Sequence, residues 1–317
     1  MWAPPMTSLA RRVAVPAAVA VIGLGGCGST SPPTATSKSP TQFFATDSPF
    51  NTKIARKPTV AADSAAIVRL LAAHPPVADI DEFGVAVFQA DGSTPRRIVT
   101  CRERWGSCPA GAQRVPIPDG ATPPLGADSE MVVVNRSEGH AYEFWQARRS
   151  PSGSWSTSSL SIISYRGDGR AGETGAGVSQ LAGLVLVDDV RSGAIDHALS
   201  FSSDITCRGR FVYPARKTDG QSTLSTCIPE GARIQLDPTV NLGAISGLTP
   251  IENMMGTALQ RYGAYVRDTG GARIAFSFQR PPAGDQTYAA AGLPYDYAAL
   301  PHLPWQRLRV LSPGDER

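Results

Sequence analysis

The chain has 317 residues, a formal charge of +3 and 18% charged residues. Removal of an export segment bearing Arg11 and Arg12 would leave +1, and a near-neutral surface excludes the basic excess on which nucleic-acid binding depends. No later run of about 18 apolar residues follows, so no transmembrane helix is expected.

In chain order, Arg11-Arg12 precedes the apolar stretch Val13 to Leu24. Twelve helical residues cover roughly 18 Å, short of a hydrocarbon core of about 30 Å. The stretch is therefore an export signal. It closes on Leu24-Gly25-Gly26-Cys27, which resembles the lipobox of bacterial lipoproteins. The resemblance covers about the first 27 residues. It implies cleavage before Cys27, diacylglycerol on the Cys27 thiol and acylation of the new amine, hence attachment to the outer face of the cell membrane. An ordinary secretory signal with a chance Cys is the alternative, and Arg11-Arg12 leaves general and twin-arginine export both open. Residues 27–42 are rich in Ser, Thr and Pro and form a disordered tether. Phe43-Phe44 opens a single β-rich domain, 43–317.

Asp63-Ser64 starts a helix over 64–73, stopped by Pro75-Pro76. Gly84–Ala90, the turn Asp91-Gly92 and Arg96–Thr100 predict a hairpin. Met131–Val134, Ala141–Ala147 and Trp155–Ile163 predict a three-stranded meander. Strands follow at 184–187, 195–201, 210–213 and 233–236, with a one-turn helix ending at Gly193. Ile251, Met254, Met255, Ala258, Leu259 and Tyr262 form one helical stripe between Pro250 and Gly263. Ala264–Arg267, a turn over 268–271 and Arg273–Phe278 predict a final hairpin. Short strands, Gly/Pro turns and few helices give a mainly β chain. The expected architecture is a two-sheet antiparallel β-sandwich, jelly-roll-like, with two or three short peripheral helices.

Beyond Cys27 the cysteines number four, and export favours disulfides. Nearest-neighbour pairing predicts Cys101–Cys108 and Cys207–Cys227. A four-thiolate zinc site needs closer pairs than these. The histidines, His74, His140, His197 and His302, are scattered. No metal and no cofactor is expected.

Strand alternation puts Glu143 and Trp145 on one face. A carboxyl beside an indole could floor a sugar cleft and act as a general acid. The plainer alternative is a Glu on a half-wet sheet, pairing with Arg148. Alternation likewise puts His197 with Ile195 and Leu199, so it is a base candidate or a buried structural His. Gly167-Asp168-Gly169-Arg170-Ala171-Gly172 matches G-x-G-x-x-G, but no helix follows to receive a pyrophosphate. It is expected as a mobile surface loop in which Arg166 and Arg170 could grip an anion. Tyr262 is a further candidate beside Glu143 and His197. The motifs H-E-x-x-H, G-x-S-x-G and S-x-x-K do not occur.

Ser48-Pro49-Phe50-Asn51, Glu143-Phe144-Trp145 and Ile195-Asp196-His197-Ala198-Leu199 are similar to stretches in uncharacterised exported proteins of high-GC Gram-positive bacteria. That resemblance implies one unified domain and no activity. The resulting expectation is a monomeric, lipid-anchored envelope protein that binds glycan on a sandwich face. A glycoside hydrolase or polysaccharide lyase on the same frame is one alternative; a structural, lipid- or protein-binding lipoprotein is the other.

Overall fold

A computed structural model describes residues 42–104, 108 and 113–313. The expected signal segment 1–26, Cys27 and all of the expected tether except residue 42 lie outside the described residues. The domain is mainly β and sandwich-like, with few helices.

The packing comes in layers. A seven-stranded mixed sheet runs, in spatial order, Ala298–Ala299, Val77–Asp79, Ala275–Ser277, Leu199–Ser203, Ala264–Thr269, Arg233–Leu236 and Leu308–Val310. One of its faces is covered by α1 (Ser64–Leu71), α2 (Val187–Ser192), α3 (Pro250–Arg261) and α4 (Thr287–Ala291), and Phe276, Ile234, Leu71 and Met255 share the core between them. A middle sheet of Ala86–Ala90, Met131–Asn135, His140–Trp145 and Ser159–Ser164 lies on the other side. An outer sheet of Gln113–Pro116, Arg96–Cys101, Trp155–Thr157 and Arg148–Arg149 completes the stack. The Thr206–Phe211 and Ile228–Glu230 strands form a separate two-stranded ribbon.

The centre of the middle sheet is covered on both faces, and its sequence shows why. Val132, Val134 and Ala141 pack toward Tyr265 and the 176–186 segment. Met131, Val133, Tyr142 and Phe144 pack toward Val99, Val115 and Trp155 of the outer sheet. All five residues of Met131–Asn135 are buried. Near-continuous apolar strands are those of a sheet covered on both sides.

α3 follows the expected rules closely. Thr249 Oγ1 accepts from Glu252 N (3.3 Å), while the Glu252 carboxylate accepts from Thr249 N (3.1 Å), a reciprocal capping box with Pro250 at the first turn. Gly263 takes φ 72° just past its end. The predicted stripe Ile251, Met254, Met255, Ala258 and Leu259 is buried.

Three strand pairings differ from expectation. Ala86–Ala90 and Arg96–Cys101 do not form a hairpin, because they lie in different sheets. Asp91 binds Ser93 N (2.8 Å) and Ser93 Oγ (2.7 Å), and the chain changes layers there. The predicted Trp155–Ile163 strand breaks at Ser158: Trp155–Thr157 joins the outer sheet and Ser159–Ser164 the middle one. Ala264–Thr269 and Ala275–Ser277 are separated by Leu199–Ser203, which pairs with both. Gly270 admits that strand, since a Cβ there would collide with Ser202 Oγ. The disulfides Cys101–Cys108 and Cys207–Cys227 are formed, with Cα separations of 6.3 and 5.1 Å.

Candidate functional site

The main concavity opens where the end of the middle sheet meets the 171–177 loop, the 216–219 loop and the end of the Ala264–Thr269 strand. It encloses about 650 Å³ and is lined by Asp128, Trp145, Glu173, Arg216, Lys217, Asp219, Asp268 and Thr269, among others. A second lobe of about 420 Å³ shares Asp128, Asp268 and Thr269 and adds Asp79, Phe83, Glu130, Arg267 and Tyr297. The shared residues make one cleft of two lobes, each lobe within the usual size of ligand sites.

Trp145 ends its strand, so its ring reaches past the covered part of the sheet. Its Nε1 donates to Asp128 Oδ1 (3.3 Å), and its carbonyl accepts from Thr157 Oγ1 (2.7 Å). Gln146, next in the chain, takes φ 57° and donates its N–H to Asp128 O (2.7 Å), which turns the strand away. In the other lobe the Asp296 carboxylate accepts from Ile80 N (2.9 Å) and Glu82 N (2.8 Å), and Tyr297 Oη donates to Glu82 Oε2 (2.8 Å). These bonds hold Phe83 and Tyr297 as neighbouring rings, centroids 6.4 Å apart.

Acidic groups dominate between the rings. Glu130 and Arg267, both buried, form an ion pair, and Arg267 Nη1 also donates to Gln180 O (3.2 Å). Asp79 is pushed up to about 7, by burial first and by the Asp296 charge next. Glu230 is pushed up to about 9, by burial and then by Asp219. Asp268 is also held well above the carboxylate range, by burial and then by Asp219. Its Oδ2 accepts from Gly175 N (2.8 Å) and its Oδ1 from Thr269 N (2.9 Å).

The structure separates the residues that the sequence groups together. Glu143 does share a face with Trp145, but it is wholly buried and lines neither lobe. Its carboxylate accepts from Ser179 Oγ, Gln180 N (3.1 Å) and Glu173 N (3.2 Å), so it stitches the 172–180 segment onto the middle sheet. Arg148 is not its partner; the expectation of a half-wet face fails because that face is covered. Burial carries Glu143 to about 8 even so, the three donors pulling it back only in part.

His197 lies at a separate small hollow beside Phe43, Phe50 and Leu186. It precedes the Leu199–Ser203 strand instead of sitting in it. Its Nδ1 donates to Ala198 O (2.8 Å) and its Nε2 to Asp189 Oδ2 (3.1 Å). Burial lowers its pKa, but Asp189 more than offsets this and the net shift is upward. An imidazolium so bound is the structural His of the two readings. Tyr262 is buried at the end of α3, with Lys53 and Arg261 against its ring. Arg170 stacks on Tyr213 at 4.5 Å and donates to Pro214 O (3.2 Å). The glycine-rich loop around it is packed, not free: Ser48 Oγ donates to Asp168 O (2.8 Å), and Gly169 lies against Phe44 and Phe50. Of the five candidates, only Trp145 lines the cleft.

Two of the stretches singled out in the sequence, around Phe50 and Ala198, meet in one core, whereas Phe144 packs in another. Ala198 N donates to Phe50 O (2.7 Å), and Phe50 packs on Tyr265 at 5.2 Å. The cleft-lining acids Asp79, Asp128, Glu130, Asp219 and Asp268, with the buried Glu230 beside Asp219 and Asp268, form no sequence motif. Comparison with family models, curated proteins and solved structures gives no match for the chain.

Proposed function

We propose that the protein is a lipid-anchored envelope protein that binds glycan in the two-lobed cleft. One observation carries the reading: aromatic rings stand in both lobes, Trp145 in one and Phe83 with Tyr297 in the other, with carboxylates and hydroxyls between them. Rings cover the apolar faces of a sugar, and fixed polar groups select its hydroxyls. The polar lining of the main lobe supports a sugar over a lipid. The anchor rests on the lipobox-like Leu24–Cys27 stretch, and Cys27→Ser should move the protein from the membrane to the soluble fraction.

A hydrolase or lyase on the same cleft is the second reading, favoured by Asp79. A carboxyl at about 7 can both give and take a proton near neutral pH. One panel of oligosaccharides tests both readings. Trp145→Ala should weaken glycan binding by roughly tenfold, the scale of one lost ring contact. Asp79→Asn should preserve binding and, if the cleft is catalytic, abolish reducing-end or unsaturated-product release. Equal binding by wild type and Trp145→Ala would sink the glycan reading.

A further inference from the structure

We propose that Asp219, Glu230 and Asp268 bind one hard divalent cation, calcium first, at the junction of the two lobes. Each residue offers a carboxylate oxygen, and these oxygens lie within 4.8 Å of one another. Two ligands on opposite sides of a calcium ion at about 2.4 Å are about 4.8 Å apart, so one ion can touch all three.

The decisive residue is Glu230. It ends the Ile228–Glu230 strand and is wholly buried. Neither of its oxygens accepts a hydrogen bond among the described residues. A buried carboxylate without a donor is costly, and native structures seldom tolerate one without a counter-charge. Arg267, next to Asp268 in the chain, is already bound to Glu130 and Gln180, while Arg216 and Lys217 line the main lobe with Asp219 and Asp268. Thr218 and the Asp219 carboxyl are the polar side chains beside it, and with no close donor Glu230 keeps its oxygens largely available to a ligand. The other two members are only partly used: Asp219 Oδ1 accepts from Thr269 Oγ1 (2.7 Å), and Asp268 takes the two backbone donors described above.

The surroundings are fitted to that cluster. Asp219 sits in the loop closed by the Cys207–Cys227 disulfide, which also leads into the Glu230 strand. Gly175 brings the 172–177 loop against the carboxylates: a Cβ there would stand 2.5 Å from Asp268 Oδ1 and 2.7 Å from Asp219 Oδ1. Asp219 and Asp268 both face the main lobe, so a bound ion keeps coordination positions open toward the cleft. The donor set is oxygen alone, with no His or Cys among the three. That favours Ca²⁺, Mg²⁺ or Mn²⁺ over zinc. Loop-borne ligands of irregular geometry favour calcium, since magnesium demands a near-regular octahedron.

The test uses the full-length chain in detergent, stripped with EDTA and titrated calorimetrically with CaCl₂, MgCl₂ and MnCl₂. One equivalent of Ca²⁺ is expected, and melting should rise by about 5 °C at a hundredfold excess over Kd. Glu230→Gln and Asp219→Asn should each weaken binding at least tenfold. Glu230→Gln is close to isosteric and Asp219 is exposed, so both variants are expected to fold; circular dichroism checks this. No saturable binding by folded wild type, or unchanged affinity in both variants, would overturn the site and mean that the three carboxyls share protons instead. The glycan reading stands or falls separately, on Trp145→Ala.

Discussion

Glu143 and Glu230 are both wholly buried glutamates, and burial raises both well above the usual carboxylate range. They are nonetheless opposite in kind. Glu143 lies between two layers and its oxygens accept from three donors, so its ligand is the protein's own 172–180 segment. Glu230 lies beside a cleft and accepts from none. The contrast teaches that burial and a raised pKa do not by themselves mark a functional carboxylate. The partner inventory does, because a satisfied group has no capacity left for a ligand.

The largest expected effect that sharpens this contrast is at Glu143. Glu143→Ala would strand three buried donors, and we expect a loss of about 4 kcal/mol, seen as a melting decrease of roughly 10 °C. A loss under about 1 kcal/mol would mean that water reaches the site and the two glutamates are alike after all. Next is Gly172, whose added Cβ would press on Glu143 Oε2 and stand 2.6 Å from Val178 O. Gly172→Ala should cost about 2 kcal/mol by chemical denaturation. Glycine is needed there for close approach, and retained stability would show that the loop can shift.

The pH response comes third. Unfolded carboxyls ionise near pH 4 to 4.5, whereas Asp79, Glu143 and Glu230 keep their protons in the folded state to about 7, 8 and 9. The folded state thus binds more protons across that window, and stability without divalent cations should fall as pH rises from 5 to 9. Denaturation midpoints at several pH values measure the slope, and Glu230→Gln should flatten its upper part. The smallest effect is that substitution at fixed pH 7. Glu230→Gln should leave cation-free stability within about 1 kcal/mol of wild type, since at pH 7 it exchanges a buried neutral acid for a neutral amide of nearly the same shape. A large loss would show that Glu230 is structural, like Glu143.

The legible part of the fold was local. The α3 stripe between Pro250 and Gly263, the Arg233–Leu236 strand and the two disulfides were readable from residue spacing. Pairing was less so. Arg96–Cys101 and Ala275–Ser277 look like hairpin partners of the strands before them, yet other strands, in another sheet or inserted between, take that place. The site was legible only at Trp145. Alternation correctly placed Glu143 on the same face, but nothing in the residues around it told whether that face was wet.

Taken alone, the sequence determined the mainly β class, the ends of α3, the cysteine pairs and the placing of Glu143 with Trp145. Each depends on neighbours a few residues away or, for the cysteines, on a small choice of partners. Tertiary structure alone decided which carboxylates are enclosed and which face a cleft. Asp79, Asp128, Asp219, Glu230 and Asp268 come from five separated segments, and their meeting depends on how the layers stack. Desolvation and partner supply are set by those layers and not by the residues themselves.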